Sequence, residues 1–349
     1  MKNEFKDILT SHQTRYPLMQ PQDYGKLAYQ SQFGPEHLAP DRERFLSYLR
    51  KEWAAVPTDG SPQPSESIGN GLCRFHLTGE YDATMAAPLL AELFLLTVEQ
   101  CHGTMAGLAE HLTLLESLDV PGMTDWLTEY RRQGCPPVHH SQIFRDAYQP
   151  HYRLLRTEYA GYFPLLLRIS ALAAGKKPAV VAIDGRCGSG KTELARLVSR
   201  LFPCNVFHLD DFYLPIERRL SDWENTPGGN MDLARFLVEV LIPARSGKAV
   251  SYMAFDCRNG SMKPAVLYPA RELIVVEGSY SHHPLLNAQY DLKIFLTCSK
   301  EEQTRRLRAR EGEYFHAFAT RWIPMEERYI QSCGVEYGDA VVVDTSAFF

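Results

Sequence analysis

Residues 179–192 read AVVAID, then Gly185-Arg-Cys-Gly-Ser-Gly-Lys-Thr192, and the helical run ELARLVSRLF follows at 193–202. A short β-branched apolar run of this kind is a buried strand. The octet fits G-x-x-x-x-G-K-[ST] at every fixed position, the pattern of a phosphate-binding loop. Glycines let backbone N–H groups turn inward around an anion, and the helix that follows directs its positive dipole end at the same point. In that reading Gly185, Gly188, Ser189, Gly190, Lys191 and Thr192 cradle a nucleotide, Lys191 reaches its β- and γ-phosphates, and the Thr192 hydroxyl sits on Mg²⁺.

Four further β-branched runs alternate with helical stretches downstream: NVFHLD (205–210), ELIVVE (272–277), DLKIFLT (291–297) and AVVVD (340–344). Near-continuous apolar strands are buried on both faces, which predicts an α/β domain with a parallel sheet flanked by helices over 171–349. The second run ends in His208-Leu-Asp-Asp-Phe-Tyr213. A carboxylate at a strand's C-terminal edge beside the loop faces the terminal phosphate, so Asp210 is placed to take an acceptor hydroxyl's proton. Asp211, Tyr213 and Arg258 are candidate acceptor contacts. The third run ends at Glu277, where a carboxylate would hold Mg²⁺ through water. EEQTRRLRARE (301–311) predicts a helix whose Glu301–Arg305 and Glu302–Arg306 spacings suit surface ion pairs. Arg306 and Arg310 also lie one turn apart, so an anion between them is expected, and a lid closing on the transferring phosphoryl follows.

With these motifs in order, residues 175–349 resemble the uridine kinase / phosphoribulokinase group of P-loop kinases. GRCGSGKT looks like its Walker A, LDDFYLP like its Asp-x-Phe-Tyr segment, and IVVEGSY like its strand ending Glu-Gly. RRLRARE resembles its arginine lid and VVVDTS its last strand. GGNMDLARF (228–236) and YMAFDCR (252–258) resemble substrate-side segments, and WIPMEERY (322–329) is similar to a stretch of bacterial uridine kinases. The resemblance implies an ATP- and Mg²⁺-dependent kinase with Asp210 as base, Lys191, Arg306 and Arg310 on the phosphoryl group, and a small-molecule hydroxyl as acceptor. Nucleosides are among the candidate acceptors. Departures stand on the acceptor side. Glu224-Asn-Thr-Pro227 replaces an aromatic-Asp-His-Pro segment, Phe255 replaces a base-contacting Tyr, and Cys257-Arg258 is what remains of a His-Ser-Arg. Losing such hydrogen-bonding partners argues against assuming uridine. A sugar or cofactor precursor as acceptor, or a nucleotide-dependent switch, are the rival readings.

The 349 residues suggest about two domains. Formal charge is −5, all of it in the first 170 residues, so neither nucleic acid nor a membrane is an expected partner. That first part (1–170) reads as a mainly helical accessory domain. Expected helices are Ala86–Val98, one carrying Met105, Leu108, Leu112 and Leu115 with Thr104 as N-cap, Asp125–Arg132, and a long one over 147–174. TDGSPQPSES (58–67) reads as an exposed loop and GLCRFHL (71–77) as a strand. The apolar stretch from Ala83 to Val98, broken by Pro88 and Glu92, reads as too short to span a bilayer. With a polar N-terminus besides, a cytoplasmic location is expected. RYPLMQPQDYGKLAYQSQFGPEHL (15–38) would bind a protein partner or a second copy of the chain, or simply cap the helices. His139-His140 and His282-His283 read as surface histidines, and the eight scattered cysteines as reduced thiols.

Overall fold

The computed structural model describes residues 2–35, 41–56, 65–175, 177–219 and 221–348. The chain divides into two compact units, Met1–Leu167 with Phe348–Phe349, and Arg168–Ala347.

The N-terminal unit is mainly helical. It contains α1 (Lys2–Arg15), α2 (Pro21–Phe33), α3 (Arg42–Ala54), β1 (Ser65–Gly69), β2 (Leu72–His76), α4 (Ala83–Gln100), α5 (Met105–Leu115), α6 (Met123–Arg132), α7 (Gln142–Tyr148) and β3 (Tyr152–Arg156), and the division falls within α8 (Thr157–Ala173). Side-chain caps set several helix starts. Asp82 accepts from the Thr84 amide, Thr104 from Gly107 and Ser141 from Phe144. On α5, Leu108, Leu112 and Leu115 are buried as expected, whereas Met105 at the helix start is exposed. They pack with Phe5, Leu9, Leu27, Leu127 and Phe144, each fully buried side chain of this size contributing about 1.5–3 kcal/mol.

Three expectations for this unit are corrected. The helix over 147–174 is interrupted by β3, because Leu154 and Leu155 are buried in an antiparallel sheet of order β1-β2-β3. The left-handed turn at Gln149 (φ 41°) and Pro150 separate α7 from that strand. The expected loop 58–67 lies outside the described residues as far as 64, and Ser65–Ser67 belong to β1. The helix over Ala83–Gln100 is 18 residues, long and apolar enough to cross a membrane, but half of it is buried inside the protein.

The sheet carries a buried ionic network. Arg74, 1 % exposed, donates to Glu66 and Gln30 and lies over the Tyr152 ring. Tyr152 meets His140 Nε2 at 2.7 Å, and His140 Nδ1 meets Asp23 at 2.9 Å. His140 is therefore an interior histidine, as is His282 in the second unit, contrary to the surface reading.

The second unit holds one five-stranded parallel sheet of order β12-β11-β4-β10-β5. In chain order its elements are β4 (Ala179–Gly185), α9 (Lys191–Leu201), β5 (Cys204–His208), α10 (Leu233–Phe236), a π turn Leu237–Leu241, α11 (Ile242–Arg245), β6 (Val250–Tyr252), β7 (Phe255–Asp256), β8 (Ser261–Met262), β9 (Val266–Tyr268), β10 (Leu273–Glu277), β11 (Leu292–Thr297), α12 (Lys300–Glu311), α13 (Phe315–Ala317), a π turn Phe318–Trp322, α14 (Ile323–Cys333) and β12 (Val341–Asp344). All five expected strands are present. The central β4 and β10 are wholly buried, but β12 is an edge strand with alternate residues exposed. The short antiparallel pairs β6–β9 and β7–β8 were not legible, being two or three residues long. None of the eight cysteines is in a disulfide.

Candidate active site

Strand order reverses at β4. Its neighbours are β10, which leads to β5 on one side, and β11 with β12 on the other. In open parallel sheets a ligand crevice forms at the strands' C-terminal ends at such a switch point. The register brings the chemistry there: Glu277 pairs with Ile183 of β4 and with His208 of β5, so β10 and β5 end level while β4 runs two residues further, to Gly185.

The loop between β4 and α9 requires its glycines. Gly185 has φ 141°, and a Cβ there would lie 2.0 Å from the Leu296 carbonyl oxygen of β11. Gly190, at φ 94°, forms the N-cap of α9. The first amides of that helix have no carbonyl one turn behind them and face the cradle. Gly185→Ala is expected to force β11 away from β4 and destabilise the second unit by about 2–4 kcal/mol, read as a drop in thermal unfolding temperature. The side chain of Ser189 is fully buried, and its amide donates to the Arg186 carbonyl. Ser189 therefore shapes the loop from within.

Lys191 Nζ donates to the carbonyls of Gly185 (2.6 Å) and Arg186 (3.1 Å). Burial opposes its charge, but Glu326, Asp184 and Glu277 outweigh that and raise its pKa. Thr192 Oγ1 stands 3.5 Å from both carboxylate oxygens of Glu277. These are hard oxygen donors at one point, and with phosphates and water they suit Mg²⁺, which needs no all-protein cage. Among the described residues no group of three or more His, Cys, Asp or Glu forms a denser metal site.

Asp210 follows β5 in a short 3₁₀ turn, Leu209–Phe212. It remains reachable from solvent. The protein around its carboxyl and the nearby Glu277 charge push its pKa up, with Lys191, a hydrogen bond from Tyr213 and His208 pulling the other way. The charge interactions place Lys191, Glu277 and Asp210 in one field.

Other expected site residues fall differently. Asp211 is committed to Tyr252, whose hydroxyl donates to it at 2.7 Å, so it braces the aromatic cluster of Phe207, Phe212, Tyr252 and Tyr268. Arg258 lies on the exposed turn between β7 and β8, where its amide donates to Asp256. That hairpin does approach Asp210, because the Asp210 charge acts on the Cys257 thiol. On α12, Glu302 takes both Arg305 and Arg306. Arg306 also donates to the Gly188 carbonyl (3.2 Å) and to Thr345, which ties α12 to the loop. Arg310 pairs with Glu311 and stacks over Phe318, and its charge reaches Cys187. Burial pushes the Cys187 thiol well up, which disfavours its thiolate form.

Sequence reasoning missed His208, Glu326, Asp184 and Arg186. His208 Nδ1 meets Glu277 at 2.5 Å, and this hydrogen bond raises the histidine's pKa against its partial burial. Its signal was its position two residues before Asp210. Asp184, 1 % exposed, accepts from the Gly185 and His282 amides and the Tyr329 hydroxyl. Arg186 is held between Glu327 and Glu336.

No protein-family profile matches the chain. The uridine kinase of Ureaplasma urealyticum serovar 10 is 26 % identical over 176 residues, covering 45 % of this chain and 84 % of that one. Uridine kinase from Ureaplasma parvum serovar 3 matches with the same identity and coverage. Among solved structures, a possible uridine kinase from Bacillus stearothermophilus matches at 20 % identity with a TM-score of 0.41, over 52 % of this chain and all of that one. Deoxyadenosine kinase from M. mycoides matches at 15 % identity and a TM-score of 0.23, over 47 % and 90 %. The second unit resembles the P-loop kinase region of the uridine kinase / phosphoribulokinase group.

Proposed function

We propose that the second unit transfers the γ-phosphoryl group of ATP to a hydroxyl of a small-molecule acceptor. The observation that carries this reading is the convergence, at one sheet edge, of the phosphate loop, the Thr192–Glu277 oxygen pair and Asp210. Lys191 and the loop amides hold the β- and γ-phosphates. Thr192 and Glu277, with His208 fixing the Glu277 carboxylate, would hold Mg²⁺, which neutralises phosphate charge when bound. Asp210 accepts the acceptor's proton, and Tyr213 fixes its carboxyl. Arg310, at the end of α12, supplies positive charge near Cys187, and Arg306 secures the loop it closes over. A nucleotide switch has no need of a base at Asp210, which favours transfer over the switch reading.

The acceptor pocket departs from a uridine site. Phe255 is buried and has no hydroxyl to offer a base. Glu224, in the segment that stands for the ribose contact, pairs with Arg321, and its carbonyl accepts from Arg328. An ADP-release screen over nucleosides, sugars and cofactor precursors tests the reading. ADP release stimulated by one acceptor class supports transfer, and release confined to uridine or cytidine restores the narrower activity. ATP hydrolysis insensitive to every acceptor overturns it in favour of the switch. The N-terminal unit is proposed to serve as an accessory domain that binds a protein partner or a second copy of the chain.

A further inference from the structure

The phosphate cradle holds an anion of its own. Glu326, on α14, is 5 % exposed and reaches into the loop. Its Oε2 accepts the Cys187 amide at 2.6 Å, its Oε1 accepts the Ser279 hydroxyl at 2.6 Å, and Oε1 lies 3.9 Å from Lys191 Nζ. A loop amide and Lys191 are the groups a terminal phosphate needs in this fold. Inward-turned amides bind one anion at a time, and a second negative charge at this range in a partly buried site is strongly repelled.

The helix that delivers Glu326 is tied to both sides of the proposed reaction. Glu327, next along, holds Arg186 of the loop, and Tyr329 holds Asp184 beneath it. Trp322, just ahead of the helix, packs against Trp223, and Arg321 and Arg328, on either side of Glu326, hold Glu224 of the acceptor-side segment. A π turn, Phe318–Trp322, precedes it, and single π turns inside helices are costly and recur at functional sites.

Building on the ATP-site reading above, we propose that Glu326 is a displaceable stand-in for the γ-phosphate. It fills the terminal-phosphate position in the nucleotide-free protein and leaves when a triphosphate binds, carrying α14 and the acceptor-side segment with it. Glu326 thus opposes ATP more than ADP, because ADP presents no phosphate there. It also makes α14 the element through which a bound triphosphate is reported to the acceptor side.

The test is calorimetric binding of Mg·ADP and Mg·ATP to the full-length protein and to E326Q and E326A. Removing the carboxylate is expected to tighten ATP about tenfold or more while changing ADP less than about threefold. In the wild type, ATP but not ADP is expected to change the emission of the Trp223–Trp322 pair, followed in a chain with Trp53 and Trp126 replaced by Phe. E326Q keeps the size of the side chain, so it answers if E326A fails to fold. An unchanged ATP-to-ADP ratio in both variants makes Glu326 a permanent tether and overturns the proposal. Selective weakening of ATP makes it a nucleotide or metal ligand and also overturns it. A wild-type protein that binds neither nucleotide overturns the ATP-site reading itself, whereas the first two outcomes leave that reading intact.

Discussion

Asp210→Asn is expected to lower phosphoryl transfer by about 10²–10⁴, the range for loss of a general base, while Mg·ATP binds within a few-fold of wild type. The asymmetry follows from what each group touches. In the proposed reaction Lys191 and the loop amides hold phosphates whether or not an acceptor is present, so Lys191→Ala is expected to weaken nucleotide binding and transfer together. Asp210 follows β5, hydrogen-bonded by Tyr213, and in the proposed reaction it is the group that faces the acceptor. Asn keeps the shape and the hydrogen bond but cannot take the proton. The pH profile supplies a second readout. Burial of the carboxyl and the Glu277 charge raise the Asp210 pKa, so transfer should rise with pH through a value above that of an ordinary aspartate and stay flat toward neutrality. Single-turnover kinetics with the acceptor found by the ADP-release screen provide the measurement. Turnover unchanged in Asp210→Asn removes the base assignment.

How much of this was legible in the sequence depends on how local each feature is. The loop, its strand and its helix are contiguous, so periodicity and glycine placement disclosed them together. The positions of Glu277 and Asp210 at the sheet's C-terminal side were legible because a strand end is a sequence feature as well as a place. The Asp211–Tyr252 bond was not legible because nothing in the chain announces that a tyrosine forty-one residues on will donate to Asp211. Glu326 was quoted within WIPMEERY and given no role for the same reason, since its partner amide at Cys187 is remote in sequence and adjacent only once α14 docks. The arginine helix shows a subtler limit. Spacing gave Glu301 and Glu302 equal claims on Arg305 and Arg306, and the fold gave both to Glu302. In the N-terminal unit the strands were the weak point. β1 and β3 are five residues each, and their burial is set by pairing across the sheet, which leaves no period in the local sequence.

Acidification is expected to destabilise the N-terminal unit by about 4 kcal/mol between pH 7.5 and pH 5. His12 and His140 lie inside it at 3 % and 7 % exposure. Burial, aided for His12 by the Arg74 charge and for His140 by Arg74 and Lys26, lowers the pKa of each to about 4. The hydrogen bond to Asp23 only partly restores the basicity of His140. An unfolded histidine titrates near 6.5, so below that pH the unfolded chain binds protons that the folded chain refuses. The contribution is fully present above pH 6.5 and is lost as pH falls toward 4, amounting to about 2 kcal/mol per histidine at pH 5. Against the 5–15 kcal/mol that holds an ordinary domain, a loss of this size is large. His76 and His111, whose pKa values burial also lowers, act in the same direction. Asp23 and Glu66 work in a lower window: their pKa values sit below the ordinary carboxylate range despite burial, held there by His140, Ser141 and Arg74, so their stabilisation disappears only under stronger acid. Hydrogen exchange read by peptide mass spectrometry separates the units. Peptides from 2–167 should lose protection at pH 5, after correction for intrinsic rates, well before those from 168–347. The double variant His12→Gln, His140→Gln should show a shallower pH dependence even if less stable at neutral pH. An equal slope in wild type and double variant would show that these two histidines do not govern the acid response.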